Sequence, residues 1–206
     1  VNRIINGAMV IDQRNAGASV TTASGATYTV DRWVTRCSQA SKFTVQQNAG
    51  SVALPAGFIN YAGITSSSAY SVGSGDTFSF VQKIEGLNVA DLAWGTSSAA
   101  TVTLSFKVYS SLTGTFGGAL QNSAGNRSYP FSYTISSANT WTTVAITIAG
   151  DQSGTWLTTN GIGIEVSFGL GQGSTYQGTA GAWTAGDIRS VTGATSVVGT
   201  NGATFY

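Results

Sequence analysis

The 206-residue sequence contains no histidine, one cysteine and two prolines. Without histidine, neither a histidine general base nor a Ser-His or Cys-His nucleophile pair can be built. The lone cysteine, Cys37, excludes an internal disulfide framework. We expect Cys37 to be a buried small apolar residue rather than a reactive thiol, because free cysteines are among the most buried residue types.

Charge is scarce as well. Charged residues make up 8% of the chain, and nine basic against eight acidic side chains leave a net charge of +1. With so few charges, the sequence has no cluster of basic residues of the kind that binds nucleic acid or an anionic membrane surface. No apolar run reaches the length of a membrane span, and no signal-peptide pattern opens the sequence. Because 42% of residues are hydrophobic and 11% aromatic, the composition predicts one folded domain over residues 1–206.

Residues 102–109 (VTLSFKVY) carry the clearest structural pattern in the sequence. Val102, Leu104, Phe106 and Val108 alternate with polar residues, as a half-buried strand requires. Similar runs predict further strands at residues 28–34, 43–47, 59–64, 78–85, 127–135, 142–148 and 162–168. Pro130 cannot donate to a ladder, so its strand should lie at a sheet edge or carry a bulge.

Between these runs the sequence is rich in glycine, serine and threonine. Residues 112–126 and 169–186 read as turns and loops, and only residues 86–95 are compatible with a helical turn. Short strands with turns between them and almost no helix predict an all-β fold. The expected architecture is an antiparallel β-sandwich of the jelly-roll type.

Two of the eight acidic residues could in principle form a glycosidase pair. Glycoside hydrolysis needs two carboxylates on either side of one bond, and Glu85 and Glu165 both lie opposite the apolar row of their strands. A solvated surface role is nevertheless favoured for both. No phosphate-binding loop, zinc-ligand spacing or nucleophile motif is present. The sequence therefore predicts no catalytic residues, and a polysaccharide depolymerase is the weakest of three functional hypotheses.

The aromatic residues are more suggestive of binding. Trp and Tyr offer flat apolar faces with a polar edge, which suits stacking against sugar rings. Loop positions concentrate binding residues, whereas Trp33, Phe106 and Trp141 are assigned to the core. The candidate glycan-binding residues are Tyr176, Trp183, Trp94 and Trp156 in loop-like contexts, with Tyr109, Lys107 and Glu165 on an outer sheet face. Each aromatic taken singly is also compatible with ordinary packing.

An ordered series of short motifs carries a family resemblance. The series comprises residues 2–17 (NRIINGAMVIDQRNAG), 28–33 (YTVDRW), 80–86 (FVQKIEG), 91–95 (DLAWG), 126–129 (NRSY), 139–141 (NTW) and 150–156 (GDQSGTW). In this order the motifs resemble a module that recurs in tail-fibre proteins of tailed phages and prophages. The module also looks like carbohydrate-binding jelly rolls that open with Asn-Gly and a short strand. The resemblance covers nearly the whole chain.

The resemblance implies a virion protein that attaches to the host. The expected partners are a host cell-surface polysaccharide and other virion proteins, and the expected assembly is a homotrimer. Its relatives carry an acidic residue after the opening Asn-Gly, in a region that can hold a structural calcium in jelly-roll modules. This sequence has Ala8 there, so no cofactor or metal is expected.

The surface composition leaves an architectural alternative open. Serine, threonine, glycine and alanine, rather than charge, occupy the outward strand positions, which is a weak defence against association. Such a surface suits a capsid decoration or virion-scaffold protein without sugar binding, and it is equally compatible with a soluble lectin-like module.

Overall fold

Two layers of mainly antiparallel strands stack face to face in the computed structural model, which describes residues 1–206. The strands are β1 (Val20–Thr21), β2 (Gly25–Tyr28), β3 (Trp33–Cys37), β4 (Phe43–Gln47), β5 (Ala62–Ser66), β6 (Thr77–Glu85), β7 (Val102–Val108), β8 (Gly114–Gln121), β9 (Arg127–Ile135), β10 (Thr142–Ile148), β11 (Ile162–Gln172), β12 (Gln177–Gly178), β13 (Thr184–Ala185), β14 (Ser190–Val191) and β15 (Thr204–Phe205). Single 3₁₀ turns occupy Ala49–Ser51, Gly86–Asn88, Ala90–Leu92 and Ser174–Tyr176. None of these helical segments has the length and apolarity needed to cross a bilayer.

One layer is a seven-stranded antiparallel sheet in the order β13-β9-β8-β11-β6-β3-β2. The other layer begins with β1-β4-β5-β15 and ends with the β7–β10 pair. These two parts are joined at β15, because Tyr109 and Tyr206 exchange backbone hydrogen bonds of 3.0 and 2.8 Å and Ser110 bridges Phe205. The second layer is called the split sheet here, since only the short β15 lies between β5 and β7.

The core lies between the two layers. Phe106 of the split sheet contacts Phe168 and Tyr133 of the seven-stranded sheet, each with ring centroids 5.0 Å apart. Leu104 and Val108 are 8% and 1% exposed, so the apolar side of β7 faces inward as its alternation predicts. The antiparallel β-sandwich of the jelly-roll type is thereby confirmed.

The predicted edge position of Pro130 is also confirmed. Asn122 N–H donates to Arg127 C=O, so the backbone groups of Arg127 point toward β8. Because this direction alternates along a strand, the other odd-numbered residues of β9 also point toward β8. The nitrogen of Pro130 therefore points away from β8, on the side where β13 covers only Arg127 and Ser128. The missing N–H costs no ladder bond there.

Residues 28–34 do not form one strand, contrary to the sequence-based expectation. The chain turns back between β2 and β3, where Trp33 N–H donates to Val30 C=O at 2.9 Å and Arg32 adopts φ 74°. A left-handed arginine gives no sequence signal for a turn, because the usual Gly or Asn is absent.

Two segments expected to be loops contain strand. Residues 114–121 form β8, and β11 continues past residue 168 to Gln172. The glycines that suggested loops are required by close packing instead. A Cβ on Gly118 would lie 2.2 Å from the Ser167 carbonyl oxygen, and one on Gly117 would lie 2.3 Å from Ser190 Oγ. Glycine in a strand interior marks such a close approach.

Candidate functional site

A cleft of about 490 Å³ opens between β5 and β7 of the split sheet. It adjoins β15, which pairs with β5 on one side and bridges the segment after β7 on the other. Seventeen of its 24 lining residues are hydrophobic, so the cleft is largely apolar. Concave, largely apolar sites of this volume are where small ligands usually bind.

Aromatic rings from the seven-stranded sheet form the floor of the cleft. Trp33 stacks on Phe80 with centroids 4.7 Å apart and planes 7° apart, and Phe168 lies beside Trp33 at 6.3 Å. The Trp33 indole N–H is satisfied by the Asn6 carbonyl oxygen at 3.2 Å. The core assignment of Trp33 and Phe106 is confirmed, although Phe106 also lines the cleft.

Contacts from β7 and β10 to the loop before β5 span the mouth of the cleft. The Lys107 ammonium lies 5.7 Å from the centroid of the Phe58 ring and 2.8 Å from Thr143 Oγ1. The Trp141 indole N–H donates to the Ala53 carbonyl oxygen at 2.8 Å. Phe58 remains 40% exposed, so an apolar ring faces solvent at this opening.

Four aromatic side chains gather on the outer face of the split sheet next to the mouth. Tyr109 stacks parallel to Tyr206 at 5.5 Å, and Trp141 lies 5.4 Å from Tyr109 and 5.6 Å from Tyr61. This set, called the aromatic cluster, contains one buried ring (Tyr61) and three partly exposed rings. Burial raises the pKa of Tyr206, so its hydroxyl stays protonated and able to donate at neutral pH.

The core assignment of Trp141 is wrong. Thr142 pairs with Val108 across the β7–β10 ladder, so the preceding Trp141 lies beside Tyr109 on the outer face. Sequence reasoning also did not single out Tyr61, Tyr206 or Phe58. All three lie in segments without a periodic pattern that could have placed them.

A polar strip continues from the aromatic cluster along the β7–β10 hairpin. Thr103 and Ser105 on β7 and Thr143, Ala145 and Thr147 on β10 are exposed. Two of the predicted glycan-binding residues, Lys107 and Tyr109, lie on this face. The structure therefore brings these two together with Trp141.

Three other predicted binding residues form a separate cluster. Trp94, Trp156 and Trp183 contact one another edge to face, with centroids 4.9–5.2 Å apart. Each indole N–H donates to a backbone carbonyl, on Ala100, Ser153 and Ala149. Trp94 and Trp156 are only 7% and 8% exposed, so their rings offer little surface to a sugar, and Trp183 is partly exposed.

Tyr176 and Glu165 lie on the opposite, outer side of the seven-stranded sheet. The Arg189 guanidinium lies 3.9 Å from the Tyr176 ring centroid and forms two hydrogen bonds to Asp187, at 2.9 and 2.5 Å. Glu165 is 6% exposed and paired with Arg36. These residues do not share a surface with Lys107 and Tyr109, so the predicted site residues fall into three places.

Glu85 and Glu165 do share a sheet face, as the alternation suggested. Glu165 pairs with Lys83, two residues from Glu85 on the same side of β6. Each carboxylate is held by its own arginine, Arg32 for Glu85 and Arg36 for Glu165. The Arg32 hydrogen bond lowers the pKa of Glu85, which is opposite to what a glycosidase general acid requires.

The structure contains no group of three or more histidine, cysteine, aspartate or glutamate side chains that could hold a metal ion. In the opening Asn6-Gly7, the Asn6 side chain forms hydrogen bonds with the Ile11 backbone and with the Asp31 carbonyl oxygen, at 2.8–3.0 Å. The expectation about calcium remains a prediction.

Cys37 is 3% exposed, and burial raises the pKa of its thiol to about 11.

Comparison with known proteins adds little to this geometry. No protein-family model matches the chain, and no curated protein matches it. A solved structure described as "CBM4 structure and function" aligns with 98% of this chain and 94% of its own, at 18% sequence identity and a TM-score of 0.42. At this identity and score the similarity assigns neither a family nor a ligand.

Proposed function

We propose that the protein is a non-enzymatic glycan-binding module of a phage tail fibre or spike, attached to the virion surface. The observation that carries the proposal is the aromatic cluster, which presents partly exposed Tyr109, Trp141 and Tyr206 beside a polar strip. Sugar rings stack through their C–H faces on such aromatics. The ordered motif resemblance supports the virion setting.

The polar groups beside the aromatic cluster supply hydrogen bonds to the hydroxyl groups of the sugar. Lys107 contributes a cationic donor, and Thr143 and Ser105 contribute hydroxyls that donate and accept. A binding site needs only a few such groups to fix the orientation of a ligand. Because the strip is flat and open, it suits a segment of a long polysaccharide better than an enclosed monosaccharide.

Affinity at such an open site is expected to be weak for one chain. A homotrimer would present three copies to one polysaccharide, and linked sites raise apparent affinity through effective concentration. We therefore propose trimer-dependent retention on host polysaccharide as the attachment mechanism.

A glycan array on the purified protein, with its oligomeric mass measured in the same buffer, tests the proposal. Saturable binding should weaken at least tenfold in Trp141→Leu and in a Lys107→Met, Thr143→Val double variant. Tyr28→Ala is the matched control, because Tyr28 is 52% exposed on β2 of the other sheet. A silent array from the folded protein, or equal loss in the control, would overturn the proposal.

An architectural role is the second candidate. The specific observation in its favour is that the exposed positions of β7 and β10 carry threonine, serine and alanine rather than charge, which gives little defence against association with another polypeptide. Co-purification with a capsid or tail protein together with a silent glycan array would favour this role.

A further inference from the structure

Lys107 is the only charged residue among the six strands of the split sheet. These strands lie in long stretches of sequence that contain no acidic residue and, apart from Lys107, no basic one. The stretches are residues 15–30, 43–75, 92–126, 128–150 and 190–206. The outer face of the split sheet therefore presents a single positive charge, and none of its own strands supplies a carboxylate to neutralise it.

Lys107 also differs from most other basic residues in its partners. Five of the nine basic side chains form an ion pair with a carboxylate, and all five are arginines. The Lys107 ammonium instead donates to Thr143 Oγ1 at 2.8 Å and lies 5.7 Å from the centroid of the Phe58 ring. A neutral hydroxyl leaves the positive charge uncompensated, and the ammonium has further N–H donors besides the one used here.

The ammonium is placed beside two rings of the aromatic cluster. Lys107 and Tyr109 lie on the same side of β7, about 7 Å apart along the strand. Thr143 lies opposite Lys107 across the β7–β10 ladder, and the ring centroids of Trp141 and Tyr109 are 5.4 Å apart. Tyr109 and Trp141 therefore form an aromatic row, with Lys107 and Thr143 as a polar row next to it. A sugar ring stacked on the aromatic row would direct its substituents toward the ammonium.

We propose that the polysaccharide bound at the aromatic cluster is acidic, and that Lys107 binds the carboxylate of a uronic acid whose ring stacks on Tyr109 and Trp141. This inference rests on the proposed glycan-binding function and specifies the class of sugar. The carboxylate would accept charge-assisted hydrogen bonds from the ammonium, which are shorter and stronger than those between neutral groups. The hydroxyls of the polar strip remain available for the hydroxyl groups of the sugar.

The distribution of charge favours an acidic polymer over a neutral one. A uronate supplies the negative charge that the split sheet lacks, whereas a neutral sugar offers Lys107 only hydroxyl partners. Because the strands beside the site carry no carboxylate, a polymer with an acid in each repeat meets no like charge along the polar strip. We expect about fivefold discrimination per site, between the effect of an exposed ion pair and that of a buried hydrogen bond to a charged group.

The test measures binding of the purified protein to oligomers of galacturonic, glucuronic and mannuronic acid and to the carboxyl-reduced form of each. Reduction converts the carboxylate to a primary alcohol and leaves the ring and the linkage unchanged, so each pair isolates the effect of the charge. The protein should bind at least one acid about fivefold more tightly than its reduced form. This preference should shrink when NaCl is raised from about 0.05 M to about 0.5 M, because salt screens an exposed ion pair.

Three variants locate the effect. Lys107→Met should abolish the preference for the acid, and Lys107→Arg should retain most of it because the positive charge remains. Lys83→Met is the matched control, since it removes the same charge from β6 of the other sheet, where Lys83 pairs in register with Glu165. The control should keep the full preference.

Three outcomes overturn the inference. Equal binding of each acid and its reduced form would show that charge is not recognised, and failure to bind any of the three acids would exclude uronates. An equal loss in Lys83→Met and Lys107→Met would assign the preference to the net charge of the protein rather than to this site. Neutral glycans bound on the array and lost in Trp141→Leu would support the proposed function while overturning this inference, so the two failures remain distinguishable.

Discussion

At the level of single residues, a binding role and a packing role of Trp183 predict different effects of the same substitution. Its ring contacts Trp94, Trp156 and Tyr129, each with ring centroids 5.2 Å apart, and its indole N–H donates to Ala149 C=O at 2.7 Å. Trp183→Ala should therefore lower the free energy of unfolding by about 3 kcal/mol, in the range for a large aromatic lost from packed surroundings. Urea unfolding followed by far-UV circular dichroism measures the change.

Tyr28→Ala is a suitable control for Trp183→Ala, because the exposed Tyr28 ring should change stability by less than about 0.5 kcal/mol. An unchanged urea midpoint for Trp183→Ala, accompanied by loss of glycan retention, would contradict the packing role. That result would instead support the sequence-based prediction of Trp183 as a binding residue.

Cys37 gives a second prediction at this scale. Its thiol has a pKa of about 11 because of burial, so it is almost entirely protonated at pH 8. The thiolate is the reactive form, and Cys37 should therefore react with a disulfide reagent only as fast as the protein unfolds. Reaction rates at increasing urea concentration check this. Rapid labelling without urea, at the rate of a free thiol, would contradict it.

Sequence patterns predicted outward or inward positions well only where a strand alternates without interruption. Phe106 and Val108 are apolar and alternate with Lys107 and Tyr109 along the strand. The alternation therefore placed Lys107 and Tyr109 on the outward side. Trp183 has no such neighbours, and its packing partners lie 27 residues or more away in the chain. Contacts of this kind depend on tertiary folding, so a loop-like sequence context could not reveal them.

At the level of elements, the turn before β6 depends on one carboxylate. Asp76 accepts hydrogen bonds from Ser38 Oγ at 2.7 Å, from Gly73 N–H at 2.8 Å and from the Tyr70 hydroxyl at 2.9 Å. The Ser38 hydrogen bond is the main cause of its lowered pKa. Asp76→Ala should lower the free energy of unfolding at pH 7 by about 1–3 kcal/mol, since three donors lose a charged acceptor.

The pH dependence of Asp76→Ala follows from the direction of the shift. A carboxylate whose pKa is lower in the folded state stabilises the fold above its unfolded value of 3.8, and this contribution is lost as the pH falls through the folded value. The difference between wild type and Asp76→Ala should therefore shrink below about pH 4. Asp91→Ala is the control, because the Asp91 side chain is 66% exposed and its ion pair with Arg3 should contribute little to stability. A difference independent of pH would contradict the assignment.

The strands that were missed share one physical reason. β8 contains Gly114, Gly117 and Gly118, and the last part of β11 contains Gly169 and Gly171. Glycine ordinarily signals a turn, but here Ser190 and Val191 of β14 pack against Gly117 so closely that no Cβ fits. The requirement comes from a segment about 70 residues downstream, which a local pattern cannot contain. Strands with alternating large side chains, such as β4 and β7, were predicted almost to the residue.

At the level of the whole molecule, β15 is the only strand that lies between the two parts of the split sheet. Its Phe205 is 5% exposed, contacts Phe116 of the seven-stranded sheet with ring centroids 6.0 Å apart, and also lines the cleft. Ser110 Oγ donates to Thr204 C=O at 2.6 Å, which fixes β15 against the segment after β7. The sandwich therefore depends on a strand of two residues that no periodic pattern predicts.

Phe205→Ala should consequently destabilise the whole sandwich rather than one edge. We expect a loss of about 3–5 kcal/mol, as for a buried phenylalanine removed from a core, with tryptophan fluorescence and far-UV circular dichroism reporting the same urea midpoint. Phe58→Ala removes the same side chain from a 40% exposed position and should cost less than about 1 kcal/mol. If Phe205→Ala instead separated the two transitions, the β7–β10 hairpin would unfold independently of the seven-stranded sheet, and the loss of stability would be confined to one part of the sandwich, contrary to this prediction.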